Sequence, residues 1–230
     1  MGHNLKLNKQ MEQRTLKENR DVLMDENILF GDKFFIEISG PSGAGKNSIM
    51  NWLLAKDSRF KRAVSRTTRP QDFTKETQGR DYYFDSKEAF LLRTQLSELP
   101  LTVHESRERF LEWEEVHGNY YGMTIREIMR ITESGWYPIN DVDPFGTLKL
   151  KKRFPNKILA LFIAPPSREI ALERIQKRAR SGDDLTLRME RYDREIVMQD
   201  QFDKVFINHS IEDTGKEVYE YILSIIEKSV

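Results

Sequence analysis

The stretch ISGPSGAGKNSIMNWLL, Ile38 to Leu54, restricts the fold more than any other part of this 230-residue chain. It reads as the end of a strand, a glycine-rich loop and the start of a helix. KFFIEIS, which leads into it, is β-rich, and NSIMNWLLAK carries apolar residues at helical spacing at Ile49, Trp52 and Leu53. Between them Gly40, Ser42, Gly43, Ala44 and Gly45 can curl so that successive backbone N–H groups point inward at a phosphate. The following helix adds the positive end of its dipole, and Lys46 reaches toward β and γ phosphate oxygens. Asn47 stands where the motif ordinarily places the Ser or Thr that binds Mg²⁺, while Ser48 offers a hydroxyl one residue later. The expectation is a phosphate cradle that survives, with an altered route to its Mg²⁺ cofactor.

Further strands follow. YPINDVD (137–143), KILALFIAPP (157–166) and KVFIN (204–208) read as buried strands, and each leads into a helical pattern. Strand, helix, strand in alternation implies an α/β fold with a parallel sheet flanked by helices. The closing helix is expected to carry Val218, Tyr221, Ile222 and Ile225 on its apolar face behind a Thr214/Glu217 capping box. Residues 65–122, rich in aromatics, and 174–191, dense in arginine, do not read as core and suggest lobes at the carboxyl ends of the strands. Residues 1–32 read as a charged arm. With 37 basic and 37 acidic residues, nothing in the overall charge points to nucleic acid or a membrane surface, and without cysteine there is no disulfide or thiol nucleophile. The N-terminal sequence has no apolar core of a signal peptide, and ILALFIA is too short to span a bilayer, so a soluble cytoplasmic protein is expected.

AVSRTTRP, GRDYYF, FLEWEEVHGNYYG, DVDPFG, KKRFPN and APPS occur in this order, and with the glycine loop they resemble the guanylate kinases from about Phe34 to the C-terminus. The resemblance implies a phosphate-loop kinase over 33–230, with a core of 33–63, 126–173 and 201–230. It also implies an inserted GMP-binding lobe at 64–125 and a helical lid at 174–200. By that resemblance Glu112 accepts from guanine N1–H and the 2-amino group, and Ser65 meets O6. A mismatched purine would leave such groups unpaired. Arg69, Tyr82 and Tyr121 resemble the donors to the acceptor's phosphate, Asp141 a residue near Mg²⁺, and Asp143 one near the guanine amino group. Arg174, Arg178 and Arg188 resemble lid arginines that neutralise the transferring phosphoryl group, and Asn208 occupies the position beside adenine. His117 is assigned no role. The implied partners are ATP and GMP, in a monomer or homodimer.

Several departures from the family pattern bear on activity. The segment RPQDFTKETQG has no second arginine before Arg80, with Lys75 as the nearest substitute cation. Met123 stands in place of a hydroxyl residue, Thr124 follows it, Phe145 replaces a glutamine, and Ala179 replaces a lid glycine. They imply a slower or less selective enzyme. Two alternatives stay open at this level: a kinase of the same fold with another acceptor, and a catalytically weak module that binds phosphorylated partners.

Overall fold

A computed structural model describes residues 26–95, 107–116, 118–178 and 184–228. The described chain begins with α1 (Glu26–Phe30), β1 (Phe35–Ser39), α2 (Lys46–Lys56), β2 (Phe60–Arg62), β3 (Arg66–Thr67), β4 (Tyr83–Phe84) and α3 (Lys87–Gln95). It continues through β5 (Phe110–Val116), β6 (Asn119–Thr124), α4 (Ile125–Thr132), β7 (Tyr137–Asn140) and α5 (Pro144–Arg153). It ends with β8 (Ile158–Ala164), α6 (Arg168–Arg178), α7 (Leu185–Ile196), a 3-10 turn at Gln199–Gln201, β9 (Lys204–Ile207) and α8 (Ile211–Lys228). Residues 1–25 of the expected arm, His117 and Ala179 lie outside the described residues.

Two compact units emerge. One takes the described residues up to Gly31 together with Ala63–Gly135, and the other takes Asp32–Arg62 with Trp136–Val230. The second unit is the expected α/β layer. Its sheet runs β2-β7-β1-β8-β9 with every pairing parallel. Every residue of β1, β7 and β8 is buried, and ILALFIA of β8 is the unbroken apolar run expected of a strand covered on both faces. Ile49, Met50 and Leu53 of α2 and Val218, Ile222 and Ile226 of α8 pack into the same core as Ile36, Ile38, Leu161 and Ile163.

The start of α8 differs from expectation. Thr214 is inside the helix and 2 % exposed, and the helix begins at Ile211. The cap belongs to Ser210, whose Oγ accepts from Asp213 N at 3.1 Å and donates to Asp213 Oδ2 at 2.6 Å. Both pairs have the same spacing of hydroxyl and acid. The strand end decides between them, because β9 stops at Ile207 and the chain turns at once.

The first unit has a sheet of its own, order β4-β3-β6-β5, which the mixed composition of 65–122 concealed. β3 and β6 pair antiparallel, as do β5 and β6, while β3 and β4 run parallel. Phe90 of α3 stacks on Phe110 with ring centroids 4.3 Å apart and on Tyr120 at 5.6 Å, so aromatics supply this small core. Glu127 of α4 is buried and ties the lobe's entry: its Oε1 accepts from Val64 N at 3.0 Å and from Arg130 Nη2 at 2.8 Å. Leu29 and Phe30 of α1 are fully buried, and the Thr132 hydroxyl of α4 donates to Leu29 O at 2.9 Å. That part of the sequence arm is packed structure.

Candidate active site

The glycine loop of the second unit leaves β1 and enters α2 as expected. Gly40 has φ 135° and Gly45 φ 93°, values that favour glycine. Neither could carry a side chain: a Cβ on Gly40 would sit 2.0 Å from Ile163 O, and one on Gly45 2.4 Å from Asn208 Nδ2. The loop is thus walled by the Ile163 backbone of β8 and the Asn208 side chain just past β9, with Ala171 and Ile175 of α6 lying over Gly43. Within it, Ala44 N donates to Pro41 O at 3.2 Å.

Lys46 opens α2 and folds back over the loop, its Nζ donating to Gly40 O at 2.5 Å and to Pro41 O at 3.1 Å. The ammonium end lies deep although the residue as a whole is half-buried. Burial pushes its pKa down; the carboxylates of Glu195, Asp141 and Asp143 act against this, and Arg191 adds to the fall. An anion lodged in the loop would relieve the same cost. Asn47 is exposed, whereas Ser48 is half-buried with its N–H on Gly45 O.

The aspartate pair sits beside this loop because β7 runs next to β1, with Ile36 opposite Ile139 and Glu37 opposite Asn140. Ser39 Oγ, at the end of β1, donates to Val142 O at 2.8 Å and fixes the segment between the two aspartates. Burial raises the pKa of Asp141, opposed by the charges of Lys46 and Arg62. Asp143 caps α5, its Oδ1 accepting from Phe145 N at 2.9 Å and Gly146 N at 3.2 Å. One of its oxygens therefore has a structural task.

Asn208 is 2 % exposed and holds the loop from below, Nδ2 donating to Ala44 O at 2.7 Å. Its Oδ1 is buried with no hydrogen-bond partner among the described residues. Arg174 of α6 joins the same spot, Nη2 donating to Asn208 O at 2.9 Å and Nη1 lying 3.5 Å from Gly43 O. Arg178 closes α6, and its side chain lies outside the described residues. Arg188 is half-buried on α7. One turn later Arg191 Nε donates to Glu195 Oε1 at 2.5 Å, and Glu195 is 2 % exposed. Sequence reasoning passed over this pair, because an i,i+4 Arg–Glu spacing in a charged helix is ordinarily a solvated face. A buried acid beside Lys46 was the missing signal.

In the first unit, strand register gathers the expected acceptor-side residues. Glu112 pairs with Met123 beyond a bulge at Phe110/Glu112, Glu114 with Tyr121, Thr67 with Tyr121 and also with Phe84. Side chains directly opposite one another share a face, and so do residues two apart. Thr67, Phe84, Glu112 and Tyr121 therefore belong to one face of this sheet, Tyr82, just ahead of β4, packs its ring against Phe84 and Tyr121, and Ser65 lies one residue ahead of β3. The rings of Tyr82 and Tyr121 are 6.0 Å apart, and the Arg69 guanidinium lies 5.5 Å from the Tyr82 centroid. Three of the expected phosphate donors are thus together. Met123 is buried and the Thr124 hydroxyl caps α4, accepting from Glu127 N at 3.4 Å, so neither supplies the missing hydroxyl. Lys75 is exposed.

A parallel α/β layer whose first strand opens through a glycine cradle onto a helix, with an aspartate pair at the next strand end, defines a phosphate-loop kinase. Residues 33–225 match the family described as guanylate kinase. The guanylate kinase of Thermotoga maritima is 35 % identical over 188 residues, covering 81 % of this chain and 84 % of that one. The guanylate kinase of Prochlorococcus marinus subsp. pastoris is 32 % identical over 193 residues, covering 84 % and 98 %. The crystal structure of guanylate kinase from Anaplasma phagocytophilum superposes with a TM-score of 0.63 at 24 % identity over 84 % of this chain and 85 % of that one, a likeness of fold. The chain belongs to the guanylate kinase family.

Proposed function

We propose that this protein transfers the γ-phosphoryl group of ATP to a phosphate oxygen of GMP, giving ADP and GDP. The observation that carries the reading is the meeting of Arg69, Tyr82 and Tyr121 in the unit whose small sheet sets Glu112 on the same face as Tyr121. A carboxylate can accept from N1–H and the 2-amino group of guanine together, a pair adenine does not present, and phosphate donors fix the other end of the nucleotide. Residues 64–125 form the acceptor lobe, 174–200 the lid and the remainder of 33–230 the core. The protein acts in the cytoplasm, as a monomer or homodimer, without nucleic acid or membrane partners.

On the donor side the loop amides and Lys46 hold the β and γ phosphates in place. Ser48 and Asp141 fit a magnesium ion, since Mg²⁺ takes one or two protein oxygens and keeps its other positions for phosphates and water, and the desolvated Asp141 carboxylate gains from a cation. Bound there with ATP, Mg²⁺ would neutralise charge on the phosphate oxygens. Arg174, Arg178 and Arg188 oppose the charge that spreads over the transferring group, and Asn208 borders the donor base. The buried Met123 and the engaged Thr124 favour weaker guanine discrimination than the full family pattern provides.

The test is Glu112→Ala. It should raise KM for GMP by roughly 10²-fold, as expected for loss of charged hydrogen bonds to the base, and leave KM for ATP within about twofold. Equal losses for both nucleotides would remove Glu112 as the guanine reader.

A further inference from the structure

Arg69 is already paired. Its Nη2 donates to Glu76 Oε1 at 2.6 Å, and its Nη1 donates to Pro70 O at 3.0 Å. Glu76 is fixed in turn: its other oxygen accepts from Asp72 N at 2.9 Å, its carbonyl accepts from Gln71 Nε2 at 2.9 Å, and its N–H donates to Asp72 O at 2.8 Å. The turn at 70–76 is therefore built around this carboxylate. The pair is largely covered, with side-chain exposures of 30 % for Arg69 and 21 % for Glu76. The next arginine along, Arg80, is engaged with Asp81 at 2.8 Å. In the intervening segment, PQDFTKETQG, Lys75 is the single cation, and it is exposed.

We infer that Glu76 is a built-in competitor for the acceptor's phosphate, occupying a corner of the Arg69 guanidinium so that a phosphate monoester dianion binds by exchange of one anion for another. This rests on the proposed acceptor reading of the Arg69, Tyr82 and Tyr121 cluster. The electrostatics agree in both directions. The hydrogen bond to Arg69 is the main cause that holds the Glu76 carboxyl below the ordinary carboxylate range, and Glu76 is the main cause that raises Arg69. An arginine whose charge is compensated offers an incoming dianion little net attraction, and a fixed carboxylate a few ångströms away repels it. A phosphate-binding site usually concentrates positive charge; this one holds an internal neutralised pair. Glu76 thereby sets how tightly the acceptor binds and how strongly the site prefers a full dianion.

Glu76→Gln tests this, because the amide oxygen can still accept from Asp72 N while the charge is gone. Titration calorimetry with GMP should show binding tighter by roughly three- to tenfold than in the unsubstituted protein, the scale of one unit charge removed from beside a dianion. Guanosine, which lacks the phosphate, should bind both proteins equally, and steady-state KM should fall for GMP and not for ATP. Glu76→Ala guards against a local effect of the amide and should move GMP affinity the same way, with melting curves reporting that both variants fold. GMP binding that is unchanged or weaker in both folded variants would make Glu76 a post that positions Arg69 and would overturn the competitor role. Absence of GMP binding in the unsubstituted protein as well would overturn the acceptor reading beneath it.

Discussion

At the scale of single residues, the proposed donor side is organised by charges that lose hydration. Lys46 and Asp141 are both pushed toward their neutral forms by burial, and each is partly rescued by the other. Both would gain from a metal–polyphosphate, which brings charge of both signs, as the proposed donor site requires. The sign for stability follows from Asp141. Its folded pKa is raised above the ordinary value of 3.8, so the folded state binds the proton more tightly than the unfolded chain, and stability is lost as pH rises through that range. Asp141→Asn should therefore raise the melting temperature of the nucleotide-free protein at pH 7, with the gain fading in acid below the ordinary carboxylate range, while phosphoryl transfer falls. Melting by circular dichroism across pH checks this; a lower melting temperature at pH 7 would mean that the carboxylate stabilises the empty fold.

At the scale of elements, the phosphate loop is shaped less by its own residues than by what stands behind it. Ile163 of β8 and the Asn208 side chain just past β9 leave no room for a Cβ on Gly40 or Gly45, and Asn208 holds Ala44 O through a hydrogen bond that solvent does not reach. The glycine pattern and the strand before it made the loop legible in the sequence, because only glycine tolerates that backbone. The clamp was not, since Asn208 lies 164 positions from Ala44 and reads as the end of a strand. The second sheet was hidden for a similar reason: β3 and β4 have two residues each, too short for any periodicity. Asn208→Ala should loosen the loop and weaken ATP binding by roughly tenfold, the cost of one buried hydrogen bond and of the carbonyl left without it, with GMP binding unaffected. Competition binding with a non-hydrolysable ATP analogue measures it, and unchanged affinity would show that the loop keeps its shape without the clamp.

At the scale of the molecule, the residues proposed for the donor side belong to one compact unit and the expected acceptor readers, apart from Asp143, to the other. Alternation of buried strands and helices was enough to expect the first. The second depended on motifs, because GRDYYF and VHGNYYG have no period that announces a sheet, and its face appears only once β6 pairs with β3 and β5. What the motifs did not reveal is the Arg69–Glu76 pair, since hydrogen bonds across a turn leave no spacing to recognise. No helix among the described residues is long and apolar enough to cross a membrane.

The proposed phosphoryl transfer is measured most directly as ADP formation from Mg-ATP with GMP, dGMP, AMP, CMP and UMP offered as separate acceptors, with Lys46→Ala as the blank. Turnover with guanine mononucleotides, absent from the blank and at least roughly tenfold slower with AMP, CMP and UMP, is the predicted result. Equal rates with all acceptors, or ATP turnover that does not depend on any of them, would contradict it.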